Sequence, residues 1–126
     1  MHKTHVIAVV DDDEAMRTSL SSLLRASGYR VLSYAAPADY LESDGPAQTD
    51  CLISDMQMPG MSGLQMLDAL RARGWRMPVI FVSAHAGDLP CDKSRATDVV
   101  ACLRKPFAAD ELVAWVEVAL RRSGNA

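Results

Sequence analysis

Cysteine, histidine and aromatic residues are all scarce in this chain of 126 residues, and neither sign of charge dominates. The three cysteines, Cys51, Cys91 and Cys102, show no C-x-x-C spacing, which excludes a disulfide framework and a zinc site. Cys51 and Cys102 fall inside apolar runs and are expected to act as small buried hydrophobes. His2, His5 and His85 are too scattered to form a metal site, so surface or loop roles are expected. No apolar run approaches the roughly 20 residues of a membrane span. The N-terminus passes directly into a strand pattern, leaving no room for a signal peptide. A net charge of −3 gives no general affinity for nucleic acid or an anionic membrane. The clusters Arg71, Arg73, Arg76 and Arg121, Arg122 are read as solvated helix ends. Neither internal repeats nor low-complexity tracts occur. Together these absences point to a single cytoplasmic domain that binds neither nucleic acid nor membrane directly.

What is present is a regular alternation of strand and helix patterns. Short runs rich in Val and Ile read as buried parallel strands at His5–Val10, Tyr29–Tyr34, Asp50–Ser54, Pro78–Val82 and Val99–Leu103. Asp13 is a candidate N-cap for a helix whose apolar stripe is Met16, Leu20, Leu23, Leu24 and Ser27, with Gly28 as its stop. Pro37 suits the first turn of a short helix carrying Tyr40 and Leu41. Ser43 to Asp50 is expected to be loop. Ser62 and Gln65 have the spacing of a capping box, opening a helix that buries Leu64, Leu67 and Leu70 and stops at Gly74. The last helix, about Ala108 to Arg121, carries Leu112, Val116, Ala119 and Leu120 on one stripe, with Asp110 and Glu111 at its positive end. Between Leu89 and Asp98 no convincing apolar stripe appears. Five β-α units with right-handed crossovers place helices on both faces of one sheet.

Charged residues sit at the ends of three of these runs. Asp11 and Asp12 follow Val6–Val10, Asp55 follows Cys51–Ser54, and Lys105 follows Val99–Arg104. The carboxyl ends of parallel strands share one edge, where ligands bind. Three carboxylates gathered there repel one another unless a cation intervenes, and the ammonium suits a phosphoryl group. Magnesium takes one or two carboxylates, several waters and a phosphate oxygen. Asp11 and Asp12 suit that role, with Asp55 as a third carboxylate. Pro59, Gly60 and Gly63 fix a tight loop behind Asp55. Ser83 ends its strand with small Ala84 behind it, so its hydroxyl can reach an anion. Lys105 precedes Pro106, and an X-Pro peptide favours extended geometry and can be cis.

The segments V-V-D-D-D-E, S-D-M-Q-M-P-G-M-S-G, F-V-S-A-H and L-R-K-P-F, in that order, resemble the receiver domain of bacterial two-component response regulators. Asp55 and Ser83 stand 28 positions apart, and Ser83 and Lys105 stand 22 apart, which fits the same family. The resemblance covers nearly the whole of residues 1–126, with an ordered core at about 5–121 and 122–126 as a tail or linker stump. It implies a flavodoxin-like, doubly wound α/β fold with a five-stranded parallel sheet of order 2-1-3-4-5; a receiver protein is among the textbook members of that topology. It also implies that Asp55 is the phosphoacceptor. Asp11, Asp12, Asp55 and the backbone carbonyl of Gln57 would hold Mg2+. Ser83 and Lys105 would bind the phosphoryl group, and Ala84, His85 and Cys102 would modulate the response. The implied donor is a sensor histidine kinase or phosphotransfer protein, and the implied listener is an output domain or protein, with homodimerisation on phosphorylation. Such a domain is not a conventional enzyme; it takes part in its own phosphotransfer and slow autodephosphorylation.

Two positions depart from the family pattern. Cys102 stands three residues before Lys105, where an aromatic residue is usual, and is too small to act as the same lever. The segment before the last strand lacks the usual apolar pattern and Gly-Ala step. A receiver-shaped interaction module that no longer switches is therefore one alternative. A haloacid-dehalogenase-like phosphatase is another, because Asp11–Asp13 satisfies D-x-D after an apolar strand. That reading leaves Asp55 and its loop unexplained, and Ala15 stands where Thr or Val is expected.

Overall fold

Each apolar run of the sequence forms a strand of five or six residues, and the strands join edge to edge in one parallel sheet. In the computed structural model, which describes residues 4–84 and 98–123, the strands are β1 (Val6–Val10), β2 (Arg30–Tyr34), β3 (Cys51–Asp55), β4 (Val79–Ser83) and β5 (Val99–Arg104). Their order is β2-β1-β3-β4-β5, and every neighbouring pair is parallel. The helices are α1 (Glu14–Ala26), α2 (Pro37–Leu41), α3 (Gly45–Gln48), α4 (Gly63–Ala72) and α5 (Ala109–Ser123). The flavodoxin-like order expected from the sequence is the order observed.

Strand alternation sorts the core into two layers. Ile7, Val9, Val31, Ile53, Ile80, Val82 and Leu103 face one way and pack with Leu20 and Leu24 of α1 and with Leu112, Val116 and Leu120 of α5. Ala8, Val10, Leu52, Val79 and Phe81 face the other way, against Tyr40 and Leu41 of α2 and Met66, Leu67 and Leu70 of α4. Full burial of one such side chain stabilises the fold by roughly 2 kcal/mol. Burial on both faces is why the central strands read as unbroken apolar runs.

The helix ends follow their local chemistry. The Asp13 side chain accepts from the backbone N–H groups of Ala15 and Met16, and Gly28 takes φ 95° after the last turn of α1. Ser62 and Gln65 form the expected reciprocal capping box at α4. No helix among the described residues is long and apolar enough to cross a membrane.

Several expectations are corrected. The stretch Ser43–Asp50 is not all loop: Pro46 suits a first helical turn, and α3 forms there, with the Thr49 hydroxyl donating to the Gly45 carbonyl at 2.7 Å. On α1, Ser27 is exposed and donates its hydroxyl to the Leu23 carbonyl. On α4, Met66 is fully buried while Leu64 is only half-buried. Cys51 is buried as expected, but Cys102 is half-exposed, because β5 is an edge strand. His5 is half-buried, and its Nδ1 is buried without a hydrogen-bond partner. The arginines 71 and 76 are not simply solvated helix ends. The Arg76 guanidinium grips the Asp98 carboxylate with two bonds of 3.0 and 3.2 Å, and Arg71 pairs with it at 3.5 Å. Arg73 donates to the Leu41 carbonyl. Most of the segment between β4 and β5, residues 85–97, lies outside the described residues, and with it His85 and Cys91.

Candidate metal and phosphoryl site

The sheet topology decides which charges meet. β1 and β3 are central neighbours, so the residues ending them arrive side by side at the carboxyl edge. Asp11 follows β1 directly, and Asp55 is the last residue of β3 rather than the first beyond it. One carboxylate oxygen from each of Asp11, Asp12 and Asp55 lies within 4.8 Å of the others. Asp11 is buried, Asp55 is half-buried and Asp12 is exposed. Lys105, just past β5, brings its Nζ to 3.4 Å from Asp11 Oδ2 and 3.6 Å from Asp55 Oδ2. Its peptide bond to Pro106 is cis. Asp11, Asp12, Asp55 and Lys105 are thus brought together as the sequence leads one to expect.

Hydrogen bonds fix the buried Asp11 and the half-buried Asp55. Asp11 Oδ1 accepts from the Asp13 N–H at 2.9 Å, and the Asp11 N–H donates to the Tyr34 carbonyl. Asp11 titrates above its ordinary value because burial disfavours its charge; the Asp13 N–H and Lys105 oppose that rise, and Asp55 adds to it. The Asp55 main chain is held from several sides. Met56 donates to the Val82 carbonyl, Gly63 to the Met56 carbonyl, and the Ser54 hydroxyl to the Asp55 carbonyl. Gly63 is required by contact, since a Cβ there would lie 2.7 Å from the Asp55 carbonyl oxygen and 2.9 Å from the Phe81 ring. This explains a glycine that the sequence marks only as part of a tight loop.

The donor set fits a hard divalent cation: three clustered carboxylates, oxygen only, one of them open to solvent. One ammonium against three carboxylates leaves the site net negative. The Gln57 N–H donates to Asp55 Oδ1 at 3.4 Å, which places this exposed residue beside the Asp55 carboxylate. Ser83 ends β4 at the same edge, buried, and its carbonyl accepts from the Lys105 N–H at 2.7 Å. Ala84 is exposed next to it. Cys102 lies midway along β5, in register with Phe81, rather than at the carboxyl ends of the strands. One contributor has no sequence signal: Arg17 Nη1 donates to the Asp11 carbonyl at 2.9 Å, tying α1 to the acidic turn. Nothing in the spacing of six residues announces that bond.

The model of the response regulator receiver domain family matches residues 7–117. The transcriptional regulatory protein FixJ of Azorhizobium caulinodans is 39% identical over 123 residues, covering 94% of this chain and 56% of that protein. The chain thus spans about half the length of the curated relatives it matches. Among solved structures, the response regulator StyR superposes with a TM-score of 0.89 at 34% identity, over 98% of this chain and 62% of that one. The response regulator protein TrrA of Thermotoga maritima, solved in complex with Mg(2+)-BeF, superposes with a TM-score of 0.80 at 26% identity, over 93% of this chain and all of that one.

Proposed function

Because this chain belongs to the response regulator receiver domain family, we propose that it accepts a phosphoryl group on Asp55 from a sensor histidine kinase or phosphotransfer protein. The observation that carries this reading is the convergence of three carboxylates within 4.8 Å, with the Lys105 ammonium bridging two of them. A carboxylate held by its backbone and partly open to solvent is a usable nucleophile. An Asp55 oxygen attacks phosphorus, the bond to the donor's imidazole nitrogen breaks, and that nitrogen keeps the electron pair. Asp11, Asp12, Asp55 and the Gln57 carbonyl would hold Mg2+, which when bound neutralises charge on the phosphoryl oxygens.

The chain's own residues supply the rest. Lys105 exchanges a carboxylate partner for a phosphoryl oxygen, so its charge is already in place when negative charge develops. Ser83 offers its hydroxyl to the attached group, and the small side chain of Ala84 leaves that approach open. Gln57, beside Asp55 Oδ1, flanks the path of water and sets the lifetime of the phosphorylated state; His85, expected from the sequence to share that role, lies outside the described residues. Cys102 is too small to report phosphorylation by rotating, so the signal leaves through the Ser83 loop and the segment that follows it. The listener is an output partner, a further domain or a second copy of the chain. The TrrA complex with Mg(2+)-BeF supports this reading, since beryllium fluoride mimics a phosphoryl group.

Intact mass after incubation with acetyl phosphate tests the proposal. One phosphoryl group should be gained with Mg2+ present and none with the divalent ion chelated. Equal gain under both conditions would overturn the metal assignment, and no gain under either would overturn the phosphoacceptor.

A further inference from the structure

Beside the acidic turn, an open groove of about 250 Å³ runs between α1 and the edge strand β2. Arg17, Thr18, Ser21, Ser22 and Arg25 line it from the helix, and Ser33 lines it from the strand. The positions 18, 21, 22 and 25 share one helical face, so these groups form a row rather than a scatter. Ser21 is the unusual member. It is only 7% exposed, yet its hydroxyl makes no hydrogen bond to any described residue. Nor do the side chains of Thr18, Ser22, Arg25 or Ser33 have a partner among the described residues. The Ser21 hydroxyl keeps some exposure on the groove it lines, where an oxygen of a bound molecule can reach it. An unpaired guanidinium beside four unpaired hydroxyls is an array of donors with little to accept from it.

Arg17 is pinned at the groove by its bond to the Asp11 carbonyl, so part of its guanidinium fork is already oriented. Glu14 also lines the groove, but two guanidiniums against one carboxylate keep the lining cationic. Arg17 and Arg25 lie eight residues apart, about 12 Å along the helix axis, a separation that favours a ligand longer than one tetrahedral anion. We propose that this groove binds a small molecule carrying phosphate groups, its oxygens taken by Arg25, Arg17 and the Ser21 and Ser33 hydroxyls. Guanidinium forks match phosphate oxygens in geometry, and hydroxyls complete the shell. This site adjoins the acidic turn through Arg17 but uses none of the carboxylates of the Asp55 centre and does not require the divalent ion.

The probe is inorganic pyrophosphate, titrated into 15N-labelled protein without divalent ions and followed by backbone amide shifts. Saturable shifts are expected at Ser21, Arg25 and Ser33. Arg25→Gln should weaken binding roughly tenfold, as expected for a lost charge-assisted contact, and Ser21→Ala by a smaller factor. Arg25 is exposed, so its substitution leaves the fold intact and carries the test even if Ser21→Ala disturbs packing. Shifts confined to Asp12, Asp55 and Lys105 would overturn the proposal by placing the anion at the phosphoryl site. So would equal shifts with sodium chloride at matched ionic strength, or unchanged affinity in Arg25→Gln.

Discussion

The two edges of the sheet carry ion clusters of opposite balance. At the carboxyl edge three carboxylates share one ammonium, and Lys105 reaches its partners only at 3.4 and 3.6 Å. At the amino edge a single carboxylate, Asp98, holds two guanidiniums, one of them through paired bonds. The Asp98 carbonyl also accepts from the Val79 N–H at 2.7 Å, which ties the starts of β4 and β5 together. The amino-edge cluster is closed: its one carboxylate is satisfied, and its arginines keep their outer faces in water. The carboxyl-edge cluster is open, with negative charge in excess and Asp12 exposed. Charge that is balanced holds a structure; charge left unbalanced at a strand end marks a place that waits for a ligand.

The largest expected break in this contrast is Asp55→Asn. The amide keeps the shape of the side chain but is no nucleophile, so phosphoryl uptake should vanish while the circular dichroism spectrum stays as it was. Persisting phosphorylation, read by intact mass, would assign the acceptor elsewhere. Next is metal affinity. Asp12→Ala should weaken magnesium binding at least tenfold by calorimetry, since loss of even an outer-shell group costs about that much. Lys105→Ala should retain or improve binding, because a competing cation is gone. Parallel losses in the two variants would contradict the separate roles.

A smaller effect sharpens the other side. Asp98→Ala should destabilise the domain by about 2 kcal/mol in urea, less than a fully buried pair because Arg76 is mostly exposed and rehydrates. Asp12→Ala should change stability by only a few tenths of a kcal/mol or raise it. If the two variants unfold alike, the edges do not differ as described. The smallest effect follows from Asp11. Its titration lies above the ordinary 3.8, so the folded state holds that proton more tightly than the unfolded chain. The resulting penalty is absent below pH 3.8 and grows as pH rises through the folded-state value. Without divalent ions, Asp11→Asn should therefore be more stable than the parent at neutral pH and equal to it in acid. A less stable Asn variant at pH 7 would show that the Lys105 contact outweighs desolvation.

Much of this was legible before any coordinates. Strands buried on both faces leave continuous apolar runs, and a charged residue that ends such a run must emerge at an edge. That is why Asp11, Asp12, Asp55 and Lys105 could be grouped from sequence, and why the order of the sheet followed from the family resemblance. The closed cluster was not legible. Arg71, Arg76 and Asp98 sit on different elements, and basic residues near a helix end have an ordinary solvated explanation. The turn of α3 was missed because Gly45 and Pro46 punctuate loops as readily as they open helices. The buried stripe of α4 is Gly63, Met66, Leu67 and Leu70, so it begins one residue before Leu64, where a glycine gives no apolar signal. The bond from Arg17 to the Asp11 carbonyl has no signature in spacing at all.

The contact that excludes a side chain at Gly63 has a kinetic meaning. With the Asp55 carbonyl against the start of α4 and its strand paired on both sides, the Asp55 main chain has nowhere to retreat. The search over backbone conformations is finished when the domain folds, not repeated at each encounter with a donor. On the function proposed above, a phosphoryl group would meet a target of low residual entropy, and a larger share of encounters would begin within reach of reaction.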